Sequence, residues 1–256
     1  GTGAAAAAPP TESLRPVLRD SDHFKRAIPE ATEIIRDARL SGRVAFAVAR
    51  ADSGEWLECE NELTGTPPAS VAKAVTALYA LDALGADHRF ETRVMATGEV
   101  QGDIVLVGGG DPTLDTDGLA DLAAQLKAAG IHGVKGGLKV HEAALPVLRS
   151  IDPEQPDHVG YNPAVSAMAL NYNRVHFEWK RNGGSYDVTM DGRSDKYRPE
   201  VAMAVMEVRD RASPVYTFEH REGRDSWTVA KGALGGGGAR WLPVRQPGLY
   251  AGDDFA

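Results

Sequence analysis

Pro67-Pro68-Ala69-Ser70-Val71-Ala72-Lys73-Ala74-Val75-Thr76-Ala77-Leu78 holds the two residues from which the rest of the chain is read, Ser70 and Lys73. They stand three apart at the start of a helix-like stretch, so their side chains share a face about one turn from each other. A serine hydroxyl is a weak nucleophile until a neighbour takes its proton, and a lysine amine in a crowded pocket can take it. Pro67-Pro68 cannot continue a helix backwards, which fixes a sharp entry and leaves Ser70 at the positive end of the helix. The pattern outlines a Ser-x-x-Lys acyl-transfer site. Lys73 interrupts an Ala/Val/Leu-rich segment running to about Leu84, where most of its neighbours are expected to be buried. A lysine on such a segment must be paired or functional.

Outward from this helix the chain alternates strand and helix signals. Ala31 to Leu40 reads as a short amphipathic helix. Val44, Phe46 and Val48 alternate as a strand, Asp52-Ser53-Gly54 supplies a turn, and Trp56 to Cys59 returns as its partner. Gly85 caps the Ser70 helix. Thr92 to Thr97 and Asp103 to Val107 read as strands, Leu119 to Ala129 as a helix, and Leu138 to Val140 as a further strand, together a small α/β unit. From about Ala167 the pattern is β-rich, with strands over Val175 to Trp179, Tyr186 to Met190, Val201 to Val208, Val215 to Phe218 and Ser226 to Val229. Gly235 to Gly238 reads as a flexible loop, and Leu242 to Val244 as a possible last strand.

Composition narrows the function classes. The chain has 256 residues, 43% hydrophobic and 25% charged, as an ordinary globular protein has. A formal net charge of −8, with no basic stripe, argues against a nucleic-acid partner. No stretch approaches the ~20 apolar residues of a membrane span. The single cysteine, Cys59, excludes an internal disulfide. The histidines are scattered without a His-x-x-x-His or a Cys/His cluster, so no metal is expected. Gly108-Gly109-Gly110 follows a strand but lacks the spacing of a phosphate or dinucleotide loop, so no cofactor is expected either. Residues 1–20 read as a disordered leader without the charged start and long apolar core of a signal peptide.

Three runs occur in order: Pro68-Ala69-Ser70-Val71-Ala72-Lys73, Leu106-Val107-Gly108-Gly109-Gly110-Asp111-Pro112-Thr113-Leu114, and Ala169-Leu170-Asn171-Tyr172-Asn173-Arg174-Val175. With Gly232 to Gly235, Leu242 to Val244 and Gly248 to Ala251, the chain resembles the D-alanyl-D-alanine carboxypeptidase/endopeptidases, the class C low-molecular-mass penicillin-binding proteins. Ser-x-x-Lys alone indicates only the wider penicillin-recognising group. The resemblance implies a multi-domain α/β (α+β) fold: an incomplete transpeptidase/β-lactamase-like domain, residues 21–90 and 241–256, with an inserted α/β part at 91–166 and a β-rich part at 167–240. It implies peptidoglycan stem peptides and cross-links as substrates, β-lactams as covalent inhibitors, and a periplasmic location. Ser70 would attack, Lys73 would take the proton, and an acyl-enzyme would follow.

Two departures qualify this. Ser-x-Asn and Lys-Thr-Gly, which complete the site in the wider group, occur nowhere in the sequence. The chain therefore reads as the front portion of such an enzyme, inactive alone, with the remainder as a possible second fragment. His141 stands where relatives often carry Asp, which keeps it out of the catalytic pair. The rival readings are a non-catalytic peptidoglycan-binding or scaffold protein of the same fold, and a serine β-lactamase.

Overall fold

A computed structural model describes residues 30–97 and 102–256. The leader expected over residues 1–20 lies outside them. The chain divides into two units, Gly1–Ala86 and Asp87–Ala256.

In the first unit, α1 (Ala31–Asp37) precedes an antiparallel hairpin of β1 (Phe46–Ala49) and β2 (Trp56–Glu60). The hairpin turns where Asp52-Ser53-Gly54 demands it, Gly54 having φ +71°. A 3-10 turn over Ala69–Val71 then runs into α2 (Ala72–Leu84), which Gly85 ends at φ 82° with its N–H on the Leu81 carbonyl. The expectation that the neighbours of Lys73 are buried is not met: α2 has no buried residue, and Val71, Val75, Leu78 and Tyr79 are 74%, 70%, 68% and 72% exposed. The reason is local. Apolar composition says what a helix needs against it, but neither strand of this unit packs extensively on α2.

The second unit opens with the order β3-β4-β5, from β3 (Arg93–Ala96), β4 (Ile104–Val107) and β5 (Leu138–His141). β3 and β4 are antiparallel, whereas β4 and β5 are parallel, a pairing that needs a crossover. α3 (Thr116–Ala128) supplies it, capped by Asp115, whose Oδ1 accepts the Gly118 N–H at 2.8 Å. Gly108 and Gly109 close the strand end. A Cβ on the first would collide with the Ala167 carbonyl and on the second with the Glu91 carbonyl.

The irregular stretch after β5 is tethered by buried Arg245, whose guanidinium donates to the carbonyls of Arg149, Asp157 and Asn162. Two three-stranded sheets follow. In one, β6 (Arg174–Asn182) lies between β7 (Ser185–Asp191) and β11 (Gly237–Pro243). In the other, β10 (Arg224–Ala230) lies between β8 (Ala204–Arg209) and β9 (Tyr216–Arg221). Gly237 and Gly238 belong to β11 rather than to a flexible loop. Gly238 sits opposite Trp179, and the indole fills the space its side chain would need. Residues 241–256 run through the end of β11 into α4 (Pro247–Phe255), which packs on β5 and α3.

Leu106, Met168, Leu170, Val175, Phe177, Trp227, Val229, Leu242 and Tyr250 lie at the centre of the hydrophobic core. The chain is mixed α+β, as its sequence pattern implies.

Candidate active site

Pro68 enters the 3-10 turn at φ −73°, and Ala69 follows at φ 44°, a left-handed angle uncommon for a residue with a Cβ. That local twist precedes Ser70 directly, and the backbone then continues as helix. Such an angle costs conformational energy and is kept only where the surroundings hold it.

Lys73 Nζ donates to Ser70 Oγ at 2.7 Å, so the pair singled out by spacing is brought into direct hydrogen bonding. Both residues are exposed among the described residues. The helix start adds a weaker electrostatic contribution, ~0.3 to 1 kcal/mol at an exposed position.

His141 ends β5 on the surface, with its carbonyl accepting the Gly108 N–H at 2.9 Å. The Gly108-Gly109-Gly110 run is a strand-to-loop turn: Gly110 adopts φ 83° and donates to the Ala167 carbonyl at 2.8 Å. Asp111 Oδ1 then accepts both the N–H and the hydroxyl of Thr113, at 2.9 and 2.7 Å. Among the described residues no group of His, Cys, Asp and Glu could hold a metal ion. No helix among them is long and apolar enough to cross a membrane.

Sequence reading passed over one arrangement, in the second unit. Arg174 lies between the rings of Tyr172 and Trp241 and lines a cleft with Thr113 and Ser194. The available signal was Asn-Tyr-Asn, since asparagine tolerates the left-handed backbone found there.

The mixed α+β fold and the serine–lysine contact set the frame, and comparison with known proteins supplies the class. The chain matches the model of the D-Ala-D-Ala carboxypeptidase 3 (S13) family over residues 30–256, and it belongs to that family. It is 36% identical, over 146 residues, to a D-alanyl-D-alanine carboxypeptidase from an Actinomadura strain, the match covering 54% of this chain and 27% of that protein. It is 34% identical over 144 residues to a carboxypeptidase of Mycobacterium tuberculosis, covering 51% of this chain and 30% of the relative. Among solved structures it resembles penicillin binding protein 4 from Haemophilus influenzae, with a TM-score of 0.65 at 20% identity, covering 88% of this chain and 52% of that one. The same protein complexed with a β-lactam gives a TM-score of 0.61 at 20% identity, covering 88% of this chain and 50% of that one. The chain thus spans about half the length of the solved structures it matches, and the aligned parts span less than a third of the curated relatives.

Proposed function

We propose that this chain is part of a serine D-Ala-D-Ala carboxypeptidase/endopeptidase acting on peptidoglycan peptides through an acyl-enzyme. The observation that carries the proposal is the 2.7 Å contact between Lys73 Nζ and Ser70 Oγ. Family membership supports the substrate class. Ser70 Oγ attacks the carbonyl carbon between two D-alanyl units, and the Lys73 amine takes the hydroxyl proton. The C–N bond then breaks, the proton passes to the leaving amine, and D-alanine departs. Water hydrolyses the remaining Ser70 ester. A β-lactam acylates the same oxygen and leaves slowly.

The exposed apolar surface of α2 fits this reading, because a helix so rich in Ala, Val and Leu normally lies inside a larger domain. In this proposal residues 21–90 belong to the catalytic domain, with the inserted region beginning near Glu91. Ser-x-Asn and Lys-Thr-Gly groups outside this sequence complete the cleft. Each oxyanion-hole donor is worth roughly 3 to 4 kcal/mol, so Ser70 and Lys73 alone make no efficient enzyme. The site of action is the periplasm or the outer face of the cytoplasmic membrane.

The test is acylation of the full-length protein containing this sequence by a labelled penicillin, with the adduct mapped by peptide mass. Label on the Ser70 peptide is expected, none with S70A, and acylation about 10²- to 10⁴-fold slower with K73A. An unlabelled, folded full-length protein would instead identify a non-catalytic member of the family.

A further inference from the structure

Asn171, Tyr172 and Asn173 take left-handed backbone angles in succession, φ 50°, 58° and 52°. Left-handed residues with a Cβ normally occur singly, so three in a row must be held from outside. Asn171 Nδ2 donates to Thr116 Oγ1 and to Tyr250 Oη, both at 3.0 Å, and Asn173 Nδ2 donates to the Ala164 carbonyl at 3.0 Å. The turn delivers the chain into β6 at Arg174 and leaves the Tyr172 ring exposed, its centroid 5.1 Å from the guanidinium carbon. Trp241 on β11 brings a second ring to 5.3 Å from the same carbon, and is itself held edge-on against His176 at 5.0 Å.

Two aromatic faces orient a guanidinium without neutralising it. The Nε–H of Arg174 is buried with no hydrogen-bond partner, and no ion pair forms on this side chain among the described residues. Arg193, in the same lining, is engaged: it binds Asp191 through two nitrogens, each at 2.8 Å, and Glu178 at 2.9 Å. The hydroxyls of Thr113 and Ser194 are taken by Asp111 and Asp117. Arg174 is therefore the cation left with donors to offer, in a cleft of about 170 Å³.

We infer that this cleft is a binding site for the free carboxylate of a peptide or N-acyl amino acid, gripped by the fork of Arg174 between Tyr172 and Trp241. A planar, singly charged carboxylate matches the planar fork with two acceptor oxygens. Phosphate is bulkier and more highly charged, and it meets two acids in the lining, Asp115 and exposed Asp195. The site is built from the second unit alone and does not depend on the chemistry proposed for Ser70.

The test is an NMR titration of the whole chain at constant ionic strength, following the Arg174 Nε–H and the Trp241 indole N–H. N-acetyl-D-alanine is the probe, N-acetyl-D-alaninamide the control lacking the carboxylate, and inorganic phosphate the competing anion. Both resonances are expected to shift saturably with the acid and not with the amide, and phosphate to bind more weakly. R174K keeps the charge, loses the fork, and weakens binding at least about fivefold. D195N, at an exposed position, removes a like charge and tightens binding about two- to threefold. S70A binds the acid like the parent chain. Equal shifts with acid and amide, no saturation with the acid by about 20 mM, phosphate binding as tightly, or unchanged affinity in R174K or D195N would each overturn the site. Loss of binding in S70A would assign the effect to the serine, and penicillin labelling of Ser70 remains a separate readout.

Discussion

Asn171 takes a backbone angle that most side chains resist and at the same time joins three parts of the second unit. Its Oδ1 accepts the Thr116 N–H at the start of α3, and its Nδ2 reaches Thr116 Oγ1 and the Tyr250 hydroxyl on α4. N171A removes these bonds inside the core and leaves alanine at φ 50°, so it should cost about 2 to 4 kcal/mol. N171G loses the same bonds without the steric penalty of the left-handed region, and should be milder by up to about 1 kcal/mol. Urea unfolding of both variants checks the order, and equal losses would mean that the angle carries no strain. The same physics explains what could be read at single residues. Ser70 and Lys73 were legible because a helix fixes the geometry of residues three apart, whatever surrounds them. The left-handed angle at Ala69 was not, since alanine gives no sign of it. The cleft at Arg174 was hidden too, because Trp241 arrives only through the pairing of β11 with β6.

α4 shows how an element's place in the fold sets the chemistry of a group it carries. Burial raises the Asp254 carboxyl from 3.8 to about 6, with the nearby carboxylates Asp253 and Asp191 adding to the effect. The folded chain therefore holds this proton in a range where the unfolded chain has released it. Stability from Asp254 is complete below pH 4 and is lost as the pH rises through about 6. D254N removes that dependence, so its unfolding midpoint should gain on the parent chain between pH 4 and pH 7, as thermal melts across the range will read. A constant difference between the two would place the carboxyl in water. Elements themselves were legible where the side-chain period was clear, as in β6, β7, β10 and α3. Glycine misled at Gly237 and Gly238, because it signals backbone freedom whether a loop or a neighbouring indole requires it. α2 misled in the other direction. Its apolar composition shows a helix built to be covered, while the cover itself is a property of other segments.

At the scale of the whole molecule, burial is distributed unevenly. Every buried side chain among the described residues belongs to the second unit, from Leu106 to Ala251, and residues 30–86 contribute none. Burying an apolar side chain is worth roughly 1.5 to 3 kcal/mol, and that gain is what offsets the conformational entropy of ordering the chain. The first unit has its hairpin and helix hydrogen bonds but little of this gain, and a two-stranded hairpin is marginal by itself. Its local opening should therefore be far easier than that of the second unit, and proteases act on what opens. Limited digestion with a protease of broad specificity should first remove the front of the chain, cutting between α2 and β3, and leave a resistant fragment beginning near Asp87 and ending near Ala256. Mass spectrometry of the digest and near-ultraviolet circular dichroism of the fragment read the result, with Trp179, Trp227 and Trp241 still packed in the second unit. Early cuts inside β6 to β11 with the front intact would contradict this assignment of stability. Adding a partner that covers α2 should slow loss of the front without changing the fragment that survives, because stability gained there is local to the helix being covered.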